Sequence, residues 1–161
     1  MSLERFHEAQ AGRGAVYDTA LAEIRAGGKR SHWIWFIFPQ IEGLGRSSTA
    51  RAYAIRDLAE ARAYLRDPIL RARYEEIAAA VSEQLARAIR LEDLMGGRTD
   101  ALKLVSSLTL FRAAAEYLAR EDPVYASLAE RLAAVLRETS EQDYPPCDFT
   151  LARVADEPSE E

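Results

Sequence analysis

Asp67 followed by Pro68 opens the stretch that most constrains what this chain can fold into. An aspartate can cap the orphan donors of a helix start, and proline at the first helical position lacks only a donor that would go unused there. From that start Ile69, Leu70, Tyr74, Ile77, Val81, Leu85 and Ile89 recur at three- and four-residue intervals, the stripe of a helix running to about residue 89. Asp122 and Pro123 repeat the same punctuation before Val124, Leu128, Leu132, Val135 and Leu136, predicting a second full helix to about residue 137. One-sided helices of this kind must bury their stripes against each other.

The rest of the chain reads the same way. Leu3, Phe6 and Ala9 suggest a short opening helix, and Val16, Ala20, Leu21 and Ile24 a longer one stopped by Gly27 and Gly28. Residues 40–48, with two glycines and paired serines, predict a loop whose serines cap a helix carrying Tyr53 and Ile55. Asp57 and Glu60 have the spacing of a reciprocal cap for a helix ending at Arg66. Thr99 is placed to cap an apolar helix with Leu102, Leu104, Val105, Leu108, Leu110 and Phe111, and Asp148 to cap a final turn. The fold class is therefore all-α, a single compact multi-helix domain over residues 1–155, with a flexible acidic tail at 156–161. Residues 31–39, SHWIWFIFP, are too apolar for periodicity to decide. A buried helix capped by Ser31 and stopped by Pro39 is favoured, and a short strand over 33–38 is the alternative.

Composition narrows the function classes. A formal net charge of -5 gives no general attraction to phosphate backbones, which argues against nucleic acid as a partner. The single cysteine, Cys147, and two histidines supply neither a disulfide nor a metal set, so no metal and no cofactor is expected. With no apolar run of membrane length and a polar start, the sequence reads as a cytoplasmic chain without a membrane partner.

Three segments carry groups that could do chemistry. The first is the aromatic run, where Lys29, His32, Trp33, Trp35 and Gln40 combine charge, an imidazole and rings able to stack on a ligand. Core packing explains most of those rings. The second is GLGRSS at 43–48, in which Gly43 and Gly45 would let backbone donors approach an anion while Arg46 and Ser47 add charge and a hydroxyl. A plain capped turn is the simpler explanation. The third is the helix with Asp100, Lys103, Ser106, Ser107 and Thr109, polar groups on so apolar an element that they require partners. Glu23, Asp100 and Asp148 are the candidate catalytic acids.

The segments LERFHEAQ, SHWIWFIFPQ, GLGRS and DALKLVSSLTLF, taken in order, resemble the family called domain of unknown function 1810, with Leu108 where that family often has methionine. The resemblance spans nearly the whole chain and implies no established activity. Some relatives carry a calpastatin label, which does not suit a compact, tryptophan-bearing chain. The small helical layout and the late Asp148 are also faintly similar, at the level of fold, to NADAR-type N-glycosidases.

The expectation from residues and resemblance together is a small-molecule-binding domain for an anionic, ring-bearing, nucleotide-like ligand. It extends to a hydrolase of N-glycosidic or ADP-ribose-type bonds. The alternatives are a protein-interaction module and a dimeric structural protein using an exposed aromatic patch, and a homo-oligomer stays open.

Overall fold

The computed structural model describes residues 2–12 and 14–155, so the acidic stretch 156–161 lies outside the described residues. Ten α-helices and one 3₁₀ turn are found among the described residues, with no strand, as an all-α chain requires. Two helices, α1 (Glu4–Ala11) and α2 (Val16–Arg25), precede the aromatic run, which forms only one turn, α3 (Ile34–Ile37). After the glycine loop come α4 (Ser48–Ala52), α5 (Leu58–Arg66) and α6 (Pro68–Ala86). The chain closes with α7 (Leu91–Met95), α8 (Arg98–Glu121), the 3₁₀ turn (Pro123–Tyr125), α9 (Ala126–Glu141) and α10 (Asp148–Ala155).

The caps explain the boundaries. Asp67 Oδ1 accepts from the Ile69 and Leu70 amides at 3.0 and 3.1 Å and starts α6; Asp57 accepts from the Glu60 amide at 2.9 Å and starts α5. Glu60 reaches back one residue past the cap to the Arg56 amide, at 2.8 Å, so the reciprocal arrangement is shifted by one position. Helix α6 stops at Ala86, short of Ile89, because Ala88 takes a left-handed φ of 69°.

Several expectations are corrected. Ile69 and Val124 face solvent rather than the core, each lying in the first turn after a proline where the chain is still turning inward. Pro123 opens a 3₁₀ turn, and α9 extends to Glu141. Gly97, not Thr99, is the residue before α8. Ile55 lies on no helix: its amide and carbonyl bond to the Gln40 carbonyl and Glu42 amide at 2.9 and 2.8 Å, a parallel bridge between Ile41 and Ile55 that anchors the glycine loop. Ser31 does not cap α3, because its hydroxyl is taken by Glu23.

Helix α8 is the axis of the fold. It packs against α5, α7, α9, α10 and α3, and every residue from Leu104 to Phe111 is buried. Polar groups in that run must therefore find internal partners. Ser106 and Thr109 donate to the carbonyls four residues back at 3.0 and 2.7 Å, whereas Ser107 meets the Tyr74 hydroxyl at 2.9 Å. Tyr74 also meets Phe111 at a tilt and Phe38 edge to face, tying α6, α8 and the aromatic run together. Tyr74→Phe is expected to cost about 1–2 kcal/mol by stranding the Ser107 hydroxyl. Denaturant unfolding of Tyr74→Phe, Ser107→Ala and the double variant checks this; strictly additive losses would mean that the two hydroxyls do not interact.

Candidate functional site

The aromatic run is positioned by a carboxylate from the preceding helix. Glu23, near the carboxyl end of α2, accepts from the Arg30 amide at 2.8 Å, the Ser31 amide at 3.0 Å, the Ser31 hydroxyl at 2.5 Å and the Trp33 indole N–H at 2.9 Å. Partial burial alone would push its pKa up, but these four donors stabilise the charged form and bring it down to about 2. A carboxylate so committed is a structural clamp. Its basicity is low and its lone pairs are occupied.

The clamp sends Trp33 inward, where it is almost completely buried, and one helical turn then separates inward from marginal residues. Ile34, Ile37 and Phe38 join the core; Trp35 and Phe36 stay half-buried, and His32 is exposed. Lys29 lies beneath the run with its ammonium 4.9 Å from the Trp33 ring, donating to the Ser31 carbonyl at 2.6 Å and pairing with Asp100 of α8 at 2.7 Å. Its side chain is only 5% exposed, so Asp100 supplies a nearly buried cation with its counter-charge. Asp100 also faces Lys103 at 3.6 Å, and Lys103 sits 5.0 Å from the Trp35 ring centre.

The glycine loop closes against the same tryptophan. A Cβ on Gly45 would fall 2.5 Å from the Ala50 Cβ and 2.7 Å from Trp35 Cη2, so only glycine allows this approach. Gly43 has a φ of +106° and lies under Phe149 of α10. Ser47 caps α4 by accepting from the Ala50 amide at 3.0 Å.

Trp35 thereby becomes a wall common to three concavities. One, of about 290 Å³, is lined by Lys29, His32, Asp100 and Lys103 along with Trp35. A second, of about 430 Å³, is lined by Gln40, Gly45, Arg46, Ser47, Lys103 and Ser106 beside Trp35. The third, of about 310 Å³, holds Gly43 and Gly45 together with Arg5, Arg51 and Arg56, three residues that sequence reading missed. Each of those arginines reads in sequence as an ordinary solvated helix charge. No sequence signal singles them out.

The three segments are therefore neighbours, although not all of their candidates reach the concavities. Trp33 is core, and Glu23 is the clamp. Thr109 donates to Val105 and accepts from the Cys147 amide at 3.0 Å, which fixes the turn into α10. Asp148 is the exposed first residue of α10 and lines none of the three. The second histidine, His7, is spent on Asp67 Oδ2 at 2.7 Å. Among the described residues, no three His, Cys, Asp or Glu side chains gather as a metal set, and no helix is long and apolar enough to cross a membrane.

Fold and site together define an all-helical domain with a cation-rich, tryptophan-walled recess. Residues 1–139 match the family described as Protein of unknown function (DUF1810), and the chain belongs to that family. It is also similar to a solved structure, the conserved hypothetical protein Rv1873 from Mycobacterium tuberculosis. The two are 33% identical with a TM-score of 0.78, and the match covers 96% of this chain and 97% of the other. No curated protein matches the chain. The likeness to NADAR-type N-glycosidases is not shown by these comparisons.

Two outcomes follow from the geometry. Gly45→Ala is expected to destabilise the fold by roughly 1–3 kcal/mol and to broaden or shift Trp35 fluorescence, because the loop must back away from the ring; an unchanged melting curve would refute the close contact. Glu23 has a pKa lowered from 4.5 to about 2, so the stability it contributes is present above pH 4.5 and is lost as pH falls towards 2. Glu23→Gln should cost about 1–3 kcal/mol at pH 7 and much less near pH 2, read by urea unfolding across that window.

Proposed function

We propose that this protein binds an anionic, ring-bearing small molecule of nucleotide type in the recess around Trp35. The supporting observation is the placement of a half-buried indole between charged and amide groups. Trp35 offers a surface for stacking, Lys103 lies 5.0 Å from its ring, Arg46 borders the same concavity, and Gln40 contributes an almost fully buried amide. Among the described residues the Gln40 amide donates to the Phe38 carbonyl at 3.5 Å, the long limit for such a bond, and so retains capacity for a base edge.

The hydrolytic form of this reading is cleavage of an N-glycosidic or ADP-ribose-type bond. It gives the general-base role to Asp100, since Asp100 borders the recess whereas Glu23 and Asp148 do not. In that step a water proton passes to the carboxylate, the water oxygen attacks the anomeric carbon, and the leaving base takes the bonding pair.

Thermal shift and calorimetry with adenosine 5′-monophosphate and ADP-ribose test the binding reading. Both should bind wild type, and Lys103→Ala and Arg46→Ala should each weaken binding roughly tenfold, the worth of a charge-assisted hydrogen bond, without lowering the melting temperature. If neither compound binds the folded wild type, the reading fails and the interaction-module alternative moves ahead. Asp100→Asn is expected to behave differently, losing about 3 kcal/mol of stability because Lys29 is left nearly buried without its anion. The unliganded variant's melting temperature checks that.

A further inference from the structure

The concavity on the Gly45 side of Trp35 has a composition that the nucleotide-type reading does not use. Arg5, Arg51 and Arg56 border about 310 Å³ of space reached from three separate segments: α1, the end of α4 and the linker before α5. The acids facing them are Glu60, which pairs with Arg5 at 3.3 Å and approaches Arg56 at 3.9 Å, and the exposed Glu42 at the border. Arg51 has no acidic partner within ion-pair distance among the described residues. The Arg5 guanidinium bonds to the Ala54 carbonyl at 2.8 Å, yet its Nε–H is buried with no acceptor. An excess of cations over acids, with Arg51 lacking an acidic partner among the described residues, is an arrangement that a multivalent oxyanion completes.

We infer that this arginine-bordered chamber is a phosphate-binding subsite, and that the ligand of the Trp35 recess carries a second phosphate group which occupies it. The inference rests on the nucleotide-type reading for the identity of the ring, while the chamber's own anion chemistry stands separately. Trp35, Gly45 and Ala50 border both this chamber and the 430 Å³ concavity, so a ligand stacked on the indole meets Arg46 and Lys103 on one side and the arginines on the other. A nucleoside with phosphates at two positions fits that division, and a nucleoside monophosphate leaves one side empty. Arginine suits the task because its planar fork holds two phosphate oxygens at once.

The discriminating experiment is calorimetry on full-length wild type, Arg46→Ala and the double variant Arg51→Ala/Arg56→Ala. The probes are adenosine 5′-monophosphate, adenosine 3′,5′-bisphosphate and inorganic pyrophosphate. Arg51 and Arg56 are exposed, so the double variant should keep its fold, confirmed by an unchanged circular dichroism melt. Wild type should bind the bisphosphate at least about tenfold more tightly than the monophosphate. That ratio should fall to near one in the double variant, and pyrophosphate binding should vanish there while surviving Arg46→Ala. A ratio near one in wild type, or one unaffected by the double substitution, overturns the subsite and leaves the Trp35 reading in place. Pyrophosphate binding that depends on Arg51 and Arg56 while neither nucleotide binds keeps the anion chamber and overturns the ring-binding reading. No binding of any probe overturns both.

Discussion

The carboxylate of Glu23 collects four donors within one short loop, and the direction of the whole aromatic run follows from that convergence. A chain leaving α2 at Gly27, where φ is +95°, could point its two tryptophans in many directions. The bond from the Trp33 indole to Glu23 selects one of them. With Trp33 fixed inside, the helical period of α3 places Ile34 and Ile37 in the core, and leaves Trp35 at the margin where the glycine loop can reach it. The Lys29–Asp100 pair then ties the loop to α8, the helix that contributes most residues to the interior. A charged clamp and a nearly buried ion pair thus do what apolar packing cannot, because apolar contacts are non-directional.

The parts of the fold legible in the sequence are those decided locally. Asp57, Asp67 and Asp122 each bond backbone donors two or three residues ahead, and such contacts need no knowledge of the rest of the chain. Misreadings fall where a distant group wins a competition. Ser31 had the spacing to cap α3, but a carboxylate eight residues earlier took its hydroxyl. Ile55 followed the apolar pattern of α4, and a backbone bridge to Gln40 and Glu42 drew it out of the helix. Ser107 shares a helix face with Asp100 and Lys103 in sequence, yet the Tyr74 hydroxyl on α6 holds it in the core.

The same distinction applies to the recess. Polar residues interrupting apolar sequence pointed to three segments, and the chain brings those segments together because buried polar groups must be satisfied by something nearby. What could not be read was the division of labour within each. Glu23 and Asp100 are both acids near the aromatic run, but one faces four neutral donors and the other a lysine ammonium. Trp33 and Trp35 differ by two positions and have opposite fates. Arg5 joins Arg51 and Arg56 through its bond to the Ala54 carbonyl and through Glu60, which also approaches Arg56, contacts between α1 and a segment about fifty residues later.

Charge distribution separates the kinds of anion this surface suits. The chain as a whole is acidic, with a net charge of -5, yet the three concavities around Trp35 together border six cations, Arg5, Lys29, Arg46, Arg51, Arg56 and Lys103, and two acids, Glu42 and Asp100, with Glu60 a third acid paired to Arg5. A net charge of that sign offers a long polyanion no general attraction. A small anion feels chiefly what lies within a screening length of about 8 Å, and inside the recess that is an excess of positive charge held in partly desolvated walls. Size therefore becomes a selector. On the proposed reading, the residues that make the recess cationic suit it to a small phosphorylated molecule rather than to nucleic acid.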